Sequence, residues 1–152
     1  MTVLGHIQEA GFAGDLPAAM LARLAAIARV VEWTEGTVIF REGDQRDDIY
    51  ILRSGQVALE MNVPGRGSTR VLTVGPRELL AWSALLGDGR MTTSALAVEP
   101  TLAIAISGHE LRQLCQADHE IGYHVMGQVA SALSHRLLAT RLQLLDLFAR
   151  PN

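Results

Sequence analysis

Gly36-Thr37-Val38-Ile39-Phe40-Arg41-Glu42-Gly43-Asp44, followed by Asp48-Ile49-Tyr50-Ile51-Leu52 and Ser54-Gly55-Gln56-Val57, is the stretch that decides the fold. Three short β-rich runs are cut by glycine corners at Gly36, Gly43 and Gly55. Positive φ is cheap there only for a residue without a Cβ. The same rhythm continues outward. Residues 30–33 end at Thr34-Glu35-Gly36, residues 57–61 at Pro64-Gly65-Arg66-Gly67, and residues 70–74 at Gly75-Pro76. Strands return over 92–97 and 102–106, with Glu99-Pro100 between them. Regular short strands with glycine turns predict an antiparallel roll or jelly roll.

The flanks read differently. Leu16, Met20, Leu24, Ile27 and Val31 recur at steps of three and four, which predicts a helix capped by Asp15 with Pro17 in its first turn. A shorter helical piece precedes it, with Val3, Ile7 and Ala10 on one face. Beyond the roll, Ser107-Gly108-His109-Glu110 has the form of a capping box. Asp118 caps a second helix running to about Phe148, about 45 Å at 1.5 Å per residue. Gly122 and Gly127 each cost it about 1 kcal/mol against Ala, and suggest close backbone approach near its start. The expected architecture is therefore one mainly-β domain over 1–152. It has a helical lead-in over 1–30, a roll over 31–107 and C-terminal helices over 108–152. Glu78-Leu79-Leu80-Ala81-Trp82-Ser83-Ala84-Leu85-Leu86 breaks the strand pattern and predicts a short helix over about 78–86, inside the roll.

Composition narrows the function. Hydrophobic residues make up 49% and charged residues 19%, enough apolar content for a real core. A net charge of −3 and a pI near 5.9 argue against a nucleic-acid surface spread over the chain. Every basic side chain is Arg. Cys115 is the single cysteine, so an internal disulfide is excluded, and it reads as a small core residue. No signal peptide and no membrane-spanning run is seen, so a cytoplasmic protein is expected. His6, His109, His119, His124 and His135 all lie outside the roll strands. A metal-binding cupin roll needs strand histidines, so no metal site is expected. No nucleophile motif and no P-loop is present, and no enzyme is expected.

The glycine turn, apolar strand, E-G-D corner, second strand and S-G-x-V hairpin together resemble the cyclic-nucleotide-binding domain family. The likeness runs into the helices on both sides and implies a double-stranded β-helix with a sensing role. In that family the interrupting segment is a phosphate-binding cassette. A Glu takes the ribose 2′-hydroxyl, and an Arg about nine residues on pairs with the cyclic phosphate. Here the stretch is Ala81-Trp82-Ser83-Ala84-Leu85, then Arg90-Met91-Thr92-Thr93. The register without insertion puts Trp82 at the acid and Met91 at the base, with Arg90 one residue early. A one-residue slip on a strand turns a side chain to the other face. A rival register, with about three inserted residues, uses Glu78 and Arg90.

A charged hydrogen-bond partner is worth about 1.5–3 kcal/mol, so losing both weakens cyclic-nucleotide affinity by about two to four decades. The N-terminus of the short helix stays available as a generic anion site. The resemblance also implies a Thr on the long helix that contacts the purine, and Thr140 falls at a similar place. Ala81, Trp82, Ser83, Ala84, Arg90, Met91, Thr92, Thr140 and Glu78 are thus the candidate ligand-binding residues. The ligand is a cyclic nucleotide or another small anion, with no resident cofactor expected. Regulators of the catabolite-activator type carry a DNA-binding domain after the long helix. This chain ends at Arg150-Pro151-Asn152, so none is expected. The long helix bears Leu133, Leu137, Leu144 and Leu147, with Leu138, Leu142 and Leu145 on a second edge, which predicts a parallel homodimer. Arg136 and Arg141 are spaced to flank its seam. Two readings stand. One is a sensory binding module with a downstream protein partner that the sequence does not name. The other is a ligand-free dimerisation or interaction module in which Trp82 and Met91 fill the old pocket.

Overall fold

The computed structural model describes residues 1–12 and 16–149, with the backbone alone over 147–149. Asp15, the expected cap, and the Leu147 side chain therefore lie outside the described residues. Two short helices, α1 (Val3–Glu9) and α2 (Ala18–Ala26), lead into eight strands. These are β1 (Ala28–Trp33), β2 (Val38–Phe40), β3 (Asp48–Ser54), β4 (Val57–Val63), β5 (Gly67–Val74), β6 (Leu79–Leu80), β7 (Ser94–Ala97) and β8 (Thr101–Ser107). A single turn, α3 (Ser83–Leu86), interrupts them, and α4 (Gly108–Ala117) and α5 (His119–Ala149) follow. The strands form two antiparallel four-stranded sheets, in the orders β1-β8-β3-β6 and β2-β7-β4-β5.

Both faces of the first sheet are buried, and the period of two sorts its side chains. Ile49, Ile51, Ile104 and Ile106 face the helices and pack with Ile7, Leu24, Leu111, Ile121 and Val125. Tyr50, Leu52, Ala103 and Ala105 face inward, where they meet Phe40, Val57, Met91 and Ala95 of the second sheet. The helix side of these two strands is all isoleucine, whereas the inside alternates alanines on β8 with Tyr50 and Leu52 on β3. Gly55, at φ +95°, turns the β3–β4 hairpin; a Cβ there would fall 2.6 Å from the Thr101 Cα.

Three boundaries differ from the sequence reading. The first helical stripe stops at Ala26, and Val31 belongs to β1, paired with Ala103 of β8. The apolar spacing of three and four continued by coincidence into a strand. The interrupting helix does not begin at Glu78. Leu79 and Leu80 pair with Ile51 and Tyr50 as β6, and Arg77 (φ 70°) and Ala81 (φ 66°) sit in the left-handed region, where a helix cannot run. Thr92 precedes β7 rather than starting it.

The N-cap of α2 falls at Pro17, with no side-chain cap bond, instead of at Asp15, whereas the caps after the roll follow the expected residues. The Ser107 hydroxyl accepts from the Glu110 N–H, and Asp118 Oδ1 accepts from the N–H groups of Glu120 and Ile121. Gly122 presses on the end of α4, where a Cβ would meet the Cys115 carbonyl oxygen at 2.8 Å, whereas Gly127 has nothing within 4 Å. Cys115 packs half-buried against the helix-side core, and burial pushes its thiol pKa up. Among the described residues, no helix is long and apolar enough to cross a membrane.

Candidate functional site

A cavity of about 380 Å³ opens between the second sheet, the loops around α3 and the middle of α5. Phe40, Leu59, Met61, Val71, Leu72, Leu80, Ala81, Trp82 and Met91 supply its apolar walls. Ser83, Thr92, Thr93 and Thr140 add hydroxyls, and Arg136 is the one charged side chain that lines it among the described residues. The volume lies in the range of small-molecule sites.

Each candidate from the sequence has a definite place. Ala81, Trp82, Ser83, Met91, Thr92 and Thr140 line the cavity. Ala84, Arg90 and Glu78 do not. Ala84 is buried on the far side, where its carbonyl accepts from Arg112 Nη1 at 2.8 Å. Arg90 is exposed; its N–H donates to Asp88 Oδ1 at 3.0 Å, and its backbone bridges Gln45. Glu78 is exposed too, and its Oε1 accepts from the Gly75 N–H.

Met91 is only 2% exposed, and the Glu42-Gly43-Asp44 corner holds it there. Its N–H donates to the Asp44 carbonyl, and its own carbonyl accepts from the Gly43 N–H, both at 2.8 Å. The pairing fixes which residue of Arg90-Met91-Thr92 turns inward, so Met91 faces the cavity and Arg90 the solvent. Part of the amide set at the start of α3 is engaged within the turn itself. The helix is one turn long. The Ala84 N–H donates to the Ala81 carbonyl, and those of Leu85 and Leu86 to the Trp82 carbonyl. Those amides are used locally. Ala81, buried at φ 66°, stores backbone strain beside the cavity.

The charge of the site lies elsewhere. Arg136 does not flank an outer seam of α5. It bends toward the roll, and its Nη2 donates to the Leu79 carbonyl. Its Nε is buried and has no hydrogen-bond partner. Burial lowers the guanidinium below the ordinary arginine value, with the charge of Glu78 opposing that shift. Among the described residues no carboxylate forms an ion pair with it. The signal was available in the sequence: Arg136 stands four residues before Thr140, so both share one helix face. The Thr140 hydroxyl donates to the Arg136 carbonyl at 2.9 Å.

With this geometry in place, the comparisons with known proteins are direct. The family model for the cyclic nucleotide-binding domain matches residues 30–118. The chain belongs to that family. It is 27% identical over 136 residues to the CRP-like cAMP-activated global transcriptional regulator of Mycobacterium tuberculosis, covering 90% of this chain and 58% of that protein. It is 33% identical over 112 residues to the cyclic AMP receptor protein of Thermus thermophilus, covering 74% and 50%. The chain thus spans about half the length of the curated relatives it matches. A cyclic nucleotide-binding domain from Methylobacillus flagellatus shares the fold at TM-score 0.85 and 19% identity, over 94% of this chain and 83% of that one.

Proposed function

We propose that this domain is a regulatory small-molecule-binding module, not a catalyst, whose pocket has moved away from tight cyclic-nucleotide recognition. One observation carries the reading: among the described residues no carboxylate lines the cavity, and the buried Met91 stands where the insertion-free register of the family resemblance implies an Arg. Ribose hydroxyls would enter without a charged acceptor. Buried polar groups left without partners cost about 1–3 kcal/mol each. Arg136 offers one cation from the opposite wall, but not the cassette pair. Trp82 and Met91 line the cavity and leave it open, which favours sensing over a filled, ligand-free module.

Isothermal titration of the protein with cyclic AMP and cyclic GMP tests this. The expected affinities are weaker than micromolar; a sub-micromolar dissociation constant for either overturns the reading.

A specific observation supports assembly as well. Leu137, Leu138, Leu142, Leu144 and Leu145 are 50–64% exposed along the second half of α5. Burying a Leu side chain is worth about 1.5–3 kcal/mol, so a parallel homodimer through this helix gains several such contributions on each side. Light scattering at micromolar concentration is expected to give the dimer mass, and Leu137→Lys the monomer mass. A monomer mass for the unmodified protein removes the dimer.

A further inference from the structure

We propose that the ligand of the cavity is a monocarboxylate with an apolar body, its carboxylate anchored by Arg136. The proposal rests on the reading above, that the pocket is a binding site that has left cyclic nucleotides.

Three features of the cavity lead to it. First, its charge is a single cation. A guanidinium carries five N–H donors and is matched in shape to a carboxylate. In Arg136 one donor is taken by the Leu79 carbonyl, and the buried Nε has no acceptor. A half-buried cation beside apolar walls, with no carboxylate in hydrogen-bonding contact among the described residues, favours an incoming anion. Second, the polarity is local. Phe40, Leu59, Met61, Val71 and Leu72 present carbon surface, and no acid stands among the lining residues to accept hydroxyls from a sugar. A molecule polar at one end and apolar along the rest fits that distribution, whereas a nucleotide is polar along its length. Third, the charge balance is one to one. A dianionic phosphate monoester would bring a second negative charge that no lining residue neutralises.

The cavity also opens outward, toward a groove that mixes Val71 and Leu144 with Thr69, Arg70, Gln143 and Asp146. Val71 and Thr140 line both this cavity and a neighbouring groove between β5 and α5 that reaches Leu144. The apolar body of the ligand has room to extend in that direction, so affinity should climb with chain length.

Titration calorimetry with butanoate, hexanoate, octanoate and the matched neutral octan-1-ol decides the matter, with cyclic AMP as a separate arm. Affinity should rise about fourfold per added methylene. Octanoate should bind at least about tenfold tighter than octan-1-ol, the difference being the charge-assisted hydrogen bonds to Arg136. Arg136→Met, checked for an unchanged fold by circular dichroism, should bring octanoate down to the level of the alcohol. The acid-to-alcohol ratio is measured on the unaltered protein, so the test stands even if the variant misfolds. Equal binding of octanoate and octan-1-ol, or no binding of octanoate, overturns the proposal. Tight binding of cyclic AMP overturns the underlying reading instead. Failure of octanoate with weak cyclic AMP overturns this inference alone.

Discussion

The two halves of α5 carry similar sequence and do opposite things. In the first half, Ile121, Val125 and Val129 are at most 2% exposed, and Gly122 abuts Cys115 at the end of α4. That half is part of the core. In the second half, five leucines stand in solvent, while Arg136 and Thr140 close the cavity. A helix this long outruns the domain it packs on. The part that overlaps the sheet is built into the core, and the part beyond it leaves its leucines exposed. The hydrophobic content hardly changes along the helix; the neighbour it meets does.

The sharpest break of that contrast is a matched pair of truncations. Ile121→Ala is expected to cost about 2–5 kcal/mol in urea unfolding, the loss for a large core side chain that leaves a cavity. Leu145→Ala should cost less than about 0.5 kcal/mol in the monomer, as for exposed positions generally. A loss for Leu145→Ala that disappears on dilution would show that the second half is buried in a dimer. Equal, dilution-independent losses would mean that the contrast is wrong.

The two helix glycines sharpen the comparison within the first half. Gly122→Ala drives a Cβ to 2.8 Å from the Cys115 carbonyl oxygen and should destabilise by about 1–3 kcal/mol. Gly127→Ala meets nothing within 4 Å and should gain about 1 kcal/mol of helix propensity. Opposite shifts in thermal midpoint are the expected result; shifts of the same sign would place the boundary of the buried half elsewhere.

The smallest effect concerns Arg136. Arg136 is half-buried and forms no ion pair among the described residues, so Arg136→Met trades one hydrogen bond to Leu79 for relief of desolvation. The expected change is a gain of up to about 1 kcal/mol by thermal unfolding. A loss of several kcal/mol would make Arg136 a structural strut instead of a group held ready for a ligand.

How much of this was legible beforehand varies with the range of the interaction. The glycine corners, the strand runs, the Ser107 and Asp118 caps and the long helix were all readable, because each depends on a residue and its close neighbours in the chain. The Glu78-to-Leu86 segment was misread. Its composition suits a helix, but Leu79 and Leu80 pair with Ile51 and Tyr50, and the helix starts only at Ser83. Arg136 was assigned to the outer face of α5, although its spacing from Thr140 placed it with the pocket.

By itself, the sequence determined the roll and its order of strands and turns, and it left two registers open for the cassette, one through Trp82 and Met91 and one through Glu78 and Arg90. Local φ preferences and period-two burial act through neighbouring residues and are written in the chain. Only the tertiary structure decided that Met91 faces inward while Arg90 faces out, and that the cation lining the cavity comes from α5. Each of these depends on which distant backbone a residue meets. Met91 meets the Asp44 corner, and Arg136 meets the Leu79 carbonyl, 57 residues away in sequence.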